Sequence, residues 1–355
     1  MGARAGLGAS PPAALPAQRA AASAAGPPAG GLPSDRPMNV FDRDVKVGHR
    51  DRAAFRGWQS RARDPVLRPA AQSLLDRLGD VRREFPVAVV LGGCGDVVAS
   101  LVPPSNPSGV RELLHVDTSP GVLAQAREAG AHLDAAGVRR HFVLGDEEHL
   151  PVRHGSADVV LSCLGLHWAN DLPGALTQAM QCLKPDGLFL GAILGGETGE
   201  ELRVAMHLAE LEREGGVSQR VSPLAMVRDA GNLLTRAGFA LPAVDVDRLE
   251  VRYPDAKSAL DHLRHMGEAN ACLARRPGPM RRDTALAAAA LLENGAGGNG
   301  SGGGTFEVVY MCGWRPHKSQ QVASRRGSAT ASFEDLEAQM AKAGLGQLPG
   351  VGVGV

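Results

Sequence analysis

The chain has 355 residues, with 38 Lys+Arg against 38 Asp+Glu and therefore no formal net charge. A hydrophobic fraction of 44% is ample for a core and excludes wholesale disorder. The balanced charge and 4% of aromatic residues give neither the electrostatic footprint nor the stacking platforms of a nucleic-acid binder, and none is expected as a partner. The five cysteines form no CxxC pair and hence no disulfide or zinc framework, and no apolar run approaches the ~18 residues of a membrane span.

Residues 1–34 are mostly Ala, Gly and Pro, carry Arg4 and Arg19, and contain no acid before Asp35. That composition is expected of an organelle transit peptide over residues 1–37, without the compact apolar stretch of a secretory signal. A charged segment follows, residues 42–63, whose apolar positions Val45, Val47, Ala53, Ala54 and Phe55 predict an amphipathic arm. Residues 65–78 read as a helix, with Leu67, Ala70, Ala71, Leu74, Leu75 and Leu78 at helical spacing, completing an N-terminal helical arm over 38–80.

Residues 81–333 then read as one α/β domain. Short apolar runs at 85–91, 113–116, 142–144, 158–162 and 188–194 predict buried strands. Helical stretches at 120–136 and 176–183 alternate with them, which means βαβ units, a parallel sheet and helices on both faces. Residues 244–251 and 306–312 alternate as two closing strands, with helical insertions at 256–273 and 283–292 before the last. The glycine run at 294–304 is expected to be a flexible loop, and residues 334–355 a tail.

In open α/β sheets, ligands lie beyond the carboxyl ends of the strands. Three features fall there. Leu91-Gly92-Gly93-Cys94-Gly95-Asp96 follows the first strand, where missing Cβ atoms let backbone approach a ligand. Asp117 ends the next, where a carboxylate can accept both hydroxyls of a ribose. Gly145-Asp146-Glu147 ends the third, where an acid can meet the amine of adenine. The competing reading makes the glycines a tight turn and Asp117 the cap of a helix. Asp96, Val97 and Val98 after Gly95 leave no G-x-G-x-x-G nest for pyrophosphate, and no P-loop lysine is present, so a nucleoside without phosphates fits best. S-adenosylmethionine is the common one.

The strings Leu91–Asp96, His115–Ser119, Gly145–Leu150 and Lys184–Gly187 resemble the motifs of class I S-adenosylmethionine-dependent methyltransferases, with a Rossmann-like sheet. The string Ser162-Cys163-Leu164-Gly165-Leu166-His167-Trp168-Ala169-Asn170-Asp171-Leu172-Pro173 is similar to the branch holding the biotin-pathway malonyl-carrier-protein methyltransferases. Phe41-Asp42-Arg43-Asp44, Gly195-Gly196-Glu197-Thr198, Met266-Gly267-Glu268-Ala269-Asn270 and Arg326-Gly327-Ser328-Ala329-Thr330 resemble the complex I assembly factor 5 family, from about Met38 to Phe333. That resemblance implies an arginine hydroxylase of methyltransferase fold. Its expected place is the mitochondrial matrix, peripheral on the inner membrane, and its expected partners are a matrix-facing subunit of respiratory complex I and assembly intermediates. The alternatives are an S-adenosylmethionine-dependent methyltransferase with a carboxyl, carrier-protein or protein substrate, and a non-catalytic assembly chaperone.

The expected cofactor residues are Gly93, Gly95, Asp117, Thr118, Asp146, Glu147 and Ser162. Leu91 stands where the methyltransferase pattern has an acid, and Val97 where it has a last glycine, so the turn departs from the family. His167 and Trp168, after the fourth strand, are the catalytic candidates: a histidine can act as base or donor, and a tryptophan face can hold a guanidinium. Asp171, Glu197 and Glu214 are candidates for binding a cationic arginine, against a helix cap and surface charges as the plainer readings. No metal site is assigned, and the oxidant is left open. His115-x-Asp117 has an iron-ligand spacing but lies in a buried strand, and His262, His265 and Glu268 share helical spacing that suits a solvated face. Cys163 has no base beside it.

Overall fold

The computed structural model describes residues 39–106, 108–295, 303–321 and 327–328. The expected leader at 1–37, most of the glycine run and the expected tail lie outside these residues. Three helices come first: α1 (Arg43–Ala54), α2 (Trp58–Arg61) and α3 (Leu67–Gly79). Alternation follows: β1 (Val87–Gly93), α4 (Gly95–Leu101), β2 (Glu112–Asp117), α5 (Pro120–Ala129), α6 (Ala131–Ala135), β3 (Arg139–Leu144) and β4 (Ala157–Cys163). Beyond a 3-10 turn at Leu166–Trp168 come α7 (Leu172–Cys182), β5 (Leu183–Leu194), α8 (Glu200–Glu214), α9 (Val227–Ala237) and β6 (Ala240–Arg252). The last elements are α10 (Ala256–Met266), α11 (Arg282–Glu293) and β7 (Gly303–Trp314).

The seven strands form one sheet in the order β3-β2-β1-β4-β5-β7-β6. β1 to β5 run parallel, and β7 inserts antiparallel between β5 and β6. This is the α/β sheet of class I methyltransferases, as expected. The chain order reverses between β1 and β4, so the crevice at their carboxyl ends is the switch point. β1 and β4 are buried almost throughout, which is why both read as continuous apolar runs. One core packs α3 and α4 on the first face through Leu67, Leu74, Val97 and Val98. The other packs α7 and α9 on the second through Leu176, Ala179 and Leu234.

Several expectations are corrected. The helix expected at 120–136 breaks at Gly130 into α5 and α6. The helix expected at 256–273 stops at Met266, because Gly267 caps it at φ +83° and sends the chain inward. α8 and α9 were not foreseen as helices. The arm is amphipathic with Ala53 and Ala54 buried as expected, but α1 also buries Lys46 and Arg50 beside them, and Phe55 is 90% exposed.

Candidate functional site: a cleft entered by two cations of the N-terminal helix

β1 ends in Gly92 and Gly93, both with positive φ. A Cβ on Gly93 would stand 2.0 Å from the Cys163 carbonyl oxygen, and one on Gly92 would stand 2.2 Å from the Glu147 carboxylate. These glycines are therefore required by the close approach of β1 to β4 and of Glu147 to the turn. Gly95 meets only ordinary contacts, with Val90 Cγ1 at 3.4 Å as the nearest. Leu91, at the position of the family's acid, is buried in the apolar core. Asp96 turns the other way and accepts bonds from Arg61 Nε at 2.7 Å and Nη2 at 3.3 Å, tying α2 to α4.

The carboxyl ends of β2 and β3 bring the expected acids together. Asp117 Oδ1 accepts from the Ser119 amide at 2.7 Å, and its Oδ2 is buried with no hydrogen-bond partner among the described residues. Glu147 is fully buried, while Asp146 is partly exposed. Between these acids lies Arg50 of α1. Its Nη1 donates to Glu147 Oε1 at 2.5 Å and Thr118 Oγ1 at 3.1 Å and reaches Asp117 Oδ1 at 3.5 Å, while Nη2 donates to the Gly165 carbonyl at 3.3 Å. Arg43, about two turns earlier on the same face of the helix, donates to Asp146, Glu147 and the Trp168 carbonyl.

Burial pushes the Asp117 carboxyl up, with the neighbouring Glu147 adding to it against the pull of Arg50. Burial acts the same way on Glu147, but Arg50 and Arg43 outweigh it and hold its carboxyl below the ordinary range. The free space among Gly92, Gly95, Asp117 and Val122 is only about 10 Å³. A nucleoside held by Asp117 would take the position of the Arg50 guanidinium. Ser162 is spent on structure, donating to the Leu91 carbonyl at 3.0 Å and joining the ends of β1 and β4.

His167 and Trp168 are both buried and meet at Glu268, a residue carried inward by the Gly267 turn. Glu268 Oε2 lies 2.9 Å from His167 Nε2 and accepts from Trp168 Nε1 at 2.6 Å. Its Oε1 accepts from Lys46 Nζ of α1 at 3.2 Å. Burial opposes ionisation of Glu268, but Lys46 and His167 outweigh it and hold the carboxyl far below its ordinary value. Burial also depresses the imidazole of His167. A neutral imidazole facing a carboxylate carries its proton on Nε2, which leaves Nδ1 as a lone pair without a partner among the described residues.

The remaining candidates do not converge. Asp171 caps α7, accepting from the Gly174 amide at 2.9 Å. Glu197 pairs with Arg248, whereas Glu214 accepts from Thr284 Oγ1 at 2.6 Å and pairs with Arg276. His262 and His265 do not form a solvated face with Glu268. His262 Nε2 lies 2.9 Å from Asp64 Oδ2, and Tyr253 meets its other nitrogen. His115 stacks on Phe142 at 5.2 Å. Among the described residues, no three His, Cys, Asp or Glu side chains gather as a metal ion would require. Lys46, Arg50 and Glu268 escaped the sequence reading as site residues. Their signal is cations at 43, 46 and 50, spaced by three and four on one helix face.

Residues 91–191, from the end of β1 into β5, match the methyltransferase-domain family model. The chain is 42% identical to the mitochondrial arginine-hydroxylase NDUFAF5 of Danio rerio over 300 residues, covering 84% of this chain and 90% of the relative. It is 39% identical to the Homo sapiens protein of the same name over 312 residues, 86% of each. Similarity to the malonyl-[acyl-carrier protein] O-methyltransferase of Methylovorus sp. (strain MP688) is lower, 31% over 270 residues, covering 76% of this chain and 88% of that one. The chain thus belongs to the family of the mitochondrial arginine-hydroxylase NDUFAF5.

Proposed function

We propose that this chain is a mitochondrial arginine hydroxylase that binds S-adenosylmethionine in the β1–β4 crevice and acts in assembly of respiratory complex I. The observation that carries the reading is family membership: identity to the arginine hydroxylases runs over nearly the whole chain and exceeds that to the O-methyltransferase. The matrix-facing complex I subunit as partner and the peripheral inner-membrane location follow from the same resemblance. Among the described residues, no helix is long and apolar enough to cross a membrane.

The unpartnered Asp117 Oδ2 suits a ribose hydroxyl, and Thr118, Asp146 and Glu147, whose oxygens meet Arg50 and Arg43 here, would face the cofactor once those guanidinium groups move aside. Gly93 and Gly95 would border the cofactor, and Ser162 would keep the crevice in shape. When bound, S-adenosylmethionine supplies a sulfonium charge and an electrophilic methyl group. His167, with a bare Nδ1, can accept a proton, and Glu268 fixes its tautomer and ring orientation. In hydroxylation, one C–H bond of the substrate arginine becomes C–OH. One atom of molecular oxygen enters the product, and the other leaves as water, which takes up two electrons from an external reductant and two protons.

Mass spectrometry of complex I from cells lacking this protein tests the reading. Loss of a hydroxylated arginine supports it. Loss of a methyl mark with hydroxylation intact replaces it with the methyltransferase reading, which the similarity to the O-methyltransferase would then carry.

A further inference from the structure

Lys46 is a lysine in a place built for a cation. Its ammonium sits 3.7 Å from the centroid of the Trp168 ring, 3.2 Å from Glu268 Oε1 and 2.7 Å from the Gly267 carbonyl oxygen. An aromatic face, a carboxylate and a carbonyl are what a guanidinium also seeks, and a planar guanidinium stacks on tryptophan better than an ammonium does. Trp168 and Glu268 also form part of the wall of a cavity of about 240 Å³. Leu202, Met206 and Leu263 line the same cavity with apolar surface, and Asn270 adds an amide.

We propose that Trp168, Glu268 and the Gly267 carbonyl form the subsite for the guanidinium of the substrate arginine, and that Lys46 is a resident cation displaced when this guanidinium enters through the cavity. The proposal deepens the arginine-hydroxylase reading and rests on it. The apolar walls suit the methylene stem of arginine and Glu268 offers its head a carboxylate, while the two arginines that also border the cavity, Arg220 and Arg264, are paired with Glu210 and Asp261. Glu268 Oε2 is already engaged by His167 and Trp168, whereas Oε1, among the described residues, holds Lys46 and becomes free when Lys46 leaves. Replacing one buried cation by another keeps a counter-charge beside Glu268, while a neutral side chain would leave the buried carboxylate without one. The subsite therefore selects arginine over its uncharged isostere citrulline.

The probe is Nα-acetyl-arginine amide, with the citrulline analogue as control, added to the full-length protein. Lys46 is 2% exposed, so acetic anhydride should acetylate it slowly in the resting protein. The arginine probe should raise that rate at least tenfold, and the citrulline analogue should not. In the Lys46→Met variant, shown folded by circular dichroism, the arginine probe should bind at least tenfold more tightly, because its competitor is gone and Glu268 awaits a cation. A purely structural lysine would give unchanged or weaker binding. Either an unaltered acetylation rate in the wild type or no tightening in the folded variant overturns the proposal. Arginine-dependent exposure of Lys46 without oxygen incorporation would sustain the subsite and sink the hydroxylase reading. Oxygen incorporation with Lys46 still protected would do the reverse.

Discussion

Arg50 Nη1 and Glu147 Oε1 stand 2.5 Å apart, both side chains buried, at the strand ends where the sequence places a nucleoside. The N-terminal helix therefore supplies the counter-charge of the cleft. A buried pair is weak evidence of net stability, but breaking one from a single side is costly, since the remaining charge stays desolvated. Arg50→Met should lower the stability of the protein without ligand by about 3–5 kcal/mol. Denaturant titration checks this, and a change near zero would mean that Arg43 alone neutralises the acids.

Asp117→Ala should leave the fold intact and weaken S-adenosylmethionine binding at least tenfold. The lost carboxylate would otherwise make charge-assisted bonds of roughly 1.5–3 kcal/mol each to the ribose. Titration calorimetry reads the affinity directly, and wild-type binding by a folded variant would remove Asp117 from the site.

Gly93→Ala should destabilise by at least about 2 kcal/mol, since the positive φ alone costs an L-residue roughly 1–2 kcal/mol. The new methyl would also overlap the Cys163 carbonyl oxygen. The melting temperature should fall with or without ligand. A loss of cofactor affinity at unchanged stability would instead make this glycine a ligand contact.

Lys46 gives a pH dependence of defined sign. Its amine is depressed from 10.5 to about 7, chiefly by burial, with Arg50 and Arg43 adding to the effect and Glu268 opposing it. Between those values the unfolded chain holds a proton that the folded chain lacks, so stability rises with pH. Relative to Lys46→Met, the wild type should gain up to about 1.4 kcal/mol per pH unit from pH 7 towards 10. Denaturant midpoints across that range measure it, and a falling difference would show that the ammonium is retained in the fold.

Much of this was legible in sequence, for physical reasons. Buried parallel strands such as β1 and β4 must be continuous apolar runs, and Asp117 and Glu147 stand at strand ends where such sheets bind ligands. What escaped depended on tertiary pairing. Lys46 and Arg50 look like the solvent face of an amphipathic helix, because hydrophobicity patterns treat a cation as outward-facing. They turn inward only because buried carboxylates from distant strands and the Gly267 turn wait there. Helical spacing puts Glu268 on the face of His262 and His265, and a single left-handed glycine, Gly267, cancels that spacing. α8 was readable in principle: Leu202, Ala205, Met206 and Ala209 keep helical spacing between Gly199 and Gly215.

The most direct test of the proposed activity is isotopic. The purified protein, S-adenosylmethionine, a reductant and the complex I substrate subunit are incubated under ¹⁸O₂, and the arginine-containing peptides are mapped by mass spectrometry. The account predicts one arginine carrying a single ¹⁸O atom, lost in the Glu268→Gln variant. An arginine or carboxyl group that gains a methyl instead, with S-adenosylhomocysteine formed in equal amount and no ¹⁸O incorporated, would contradict it.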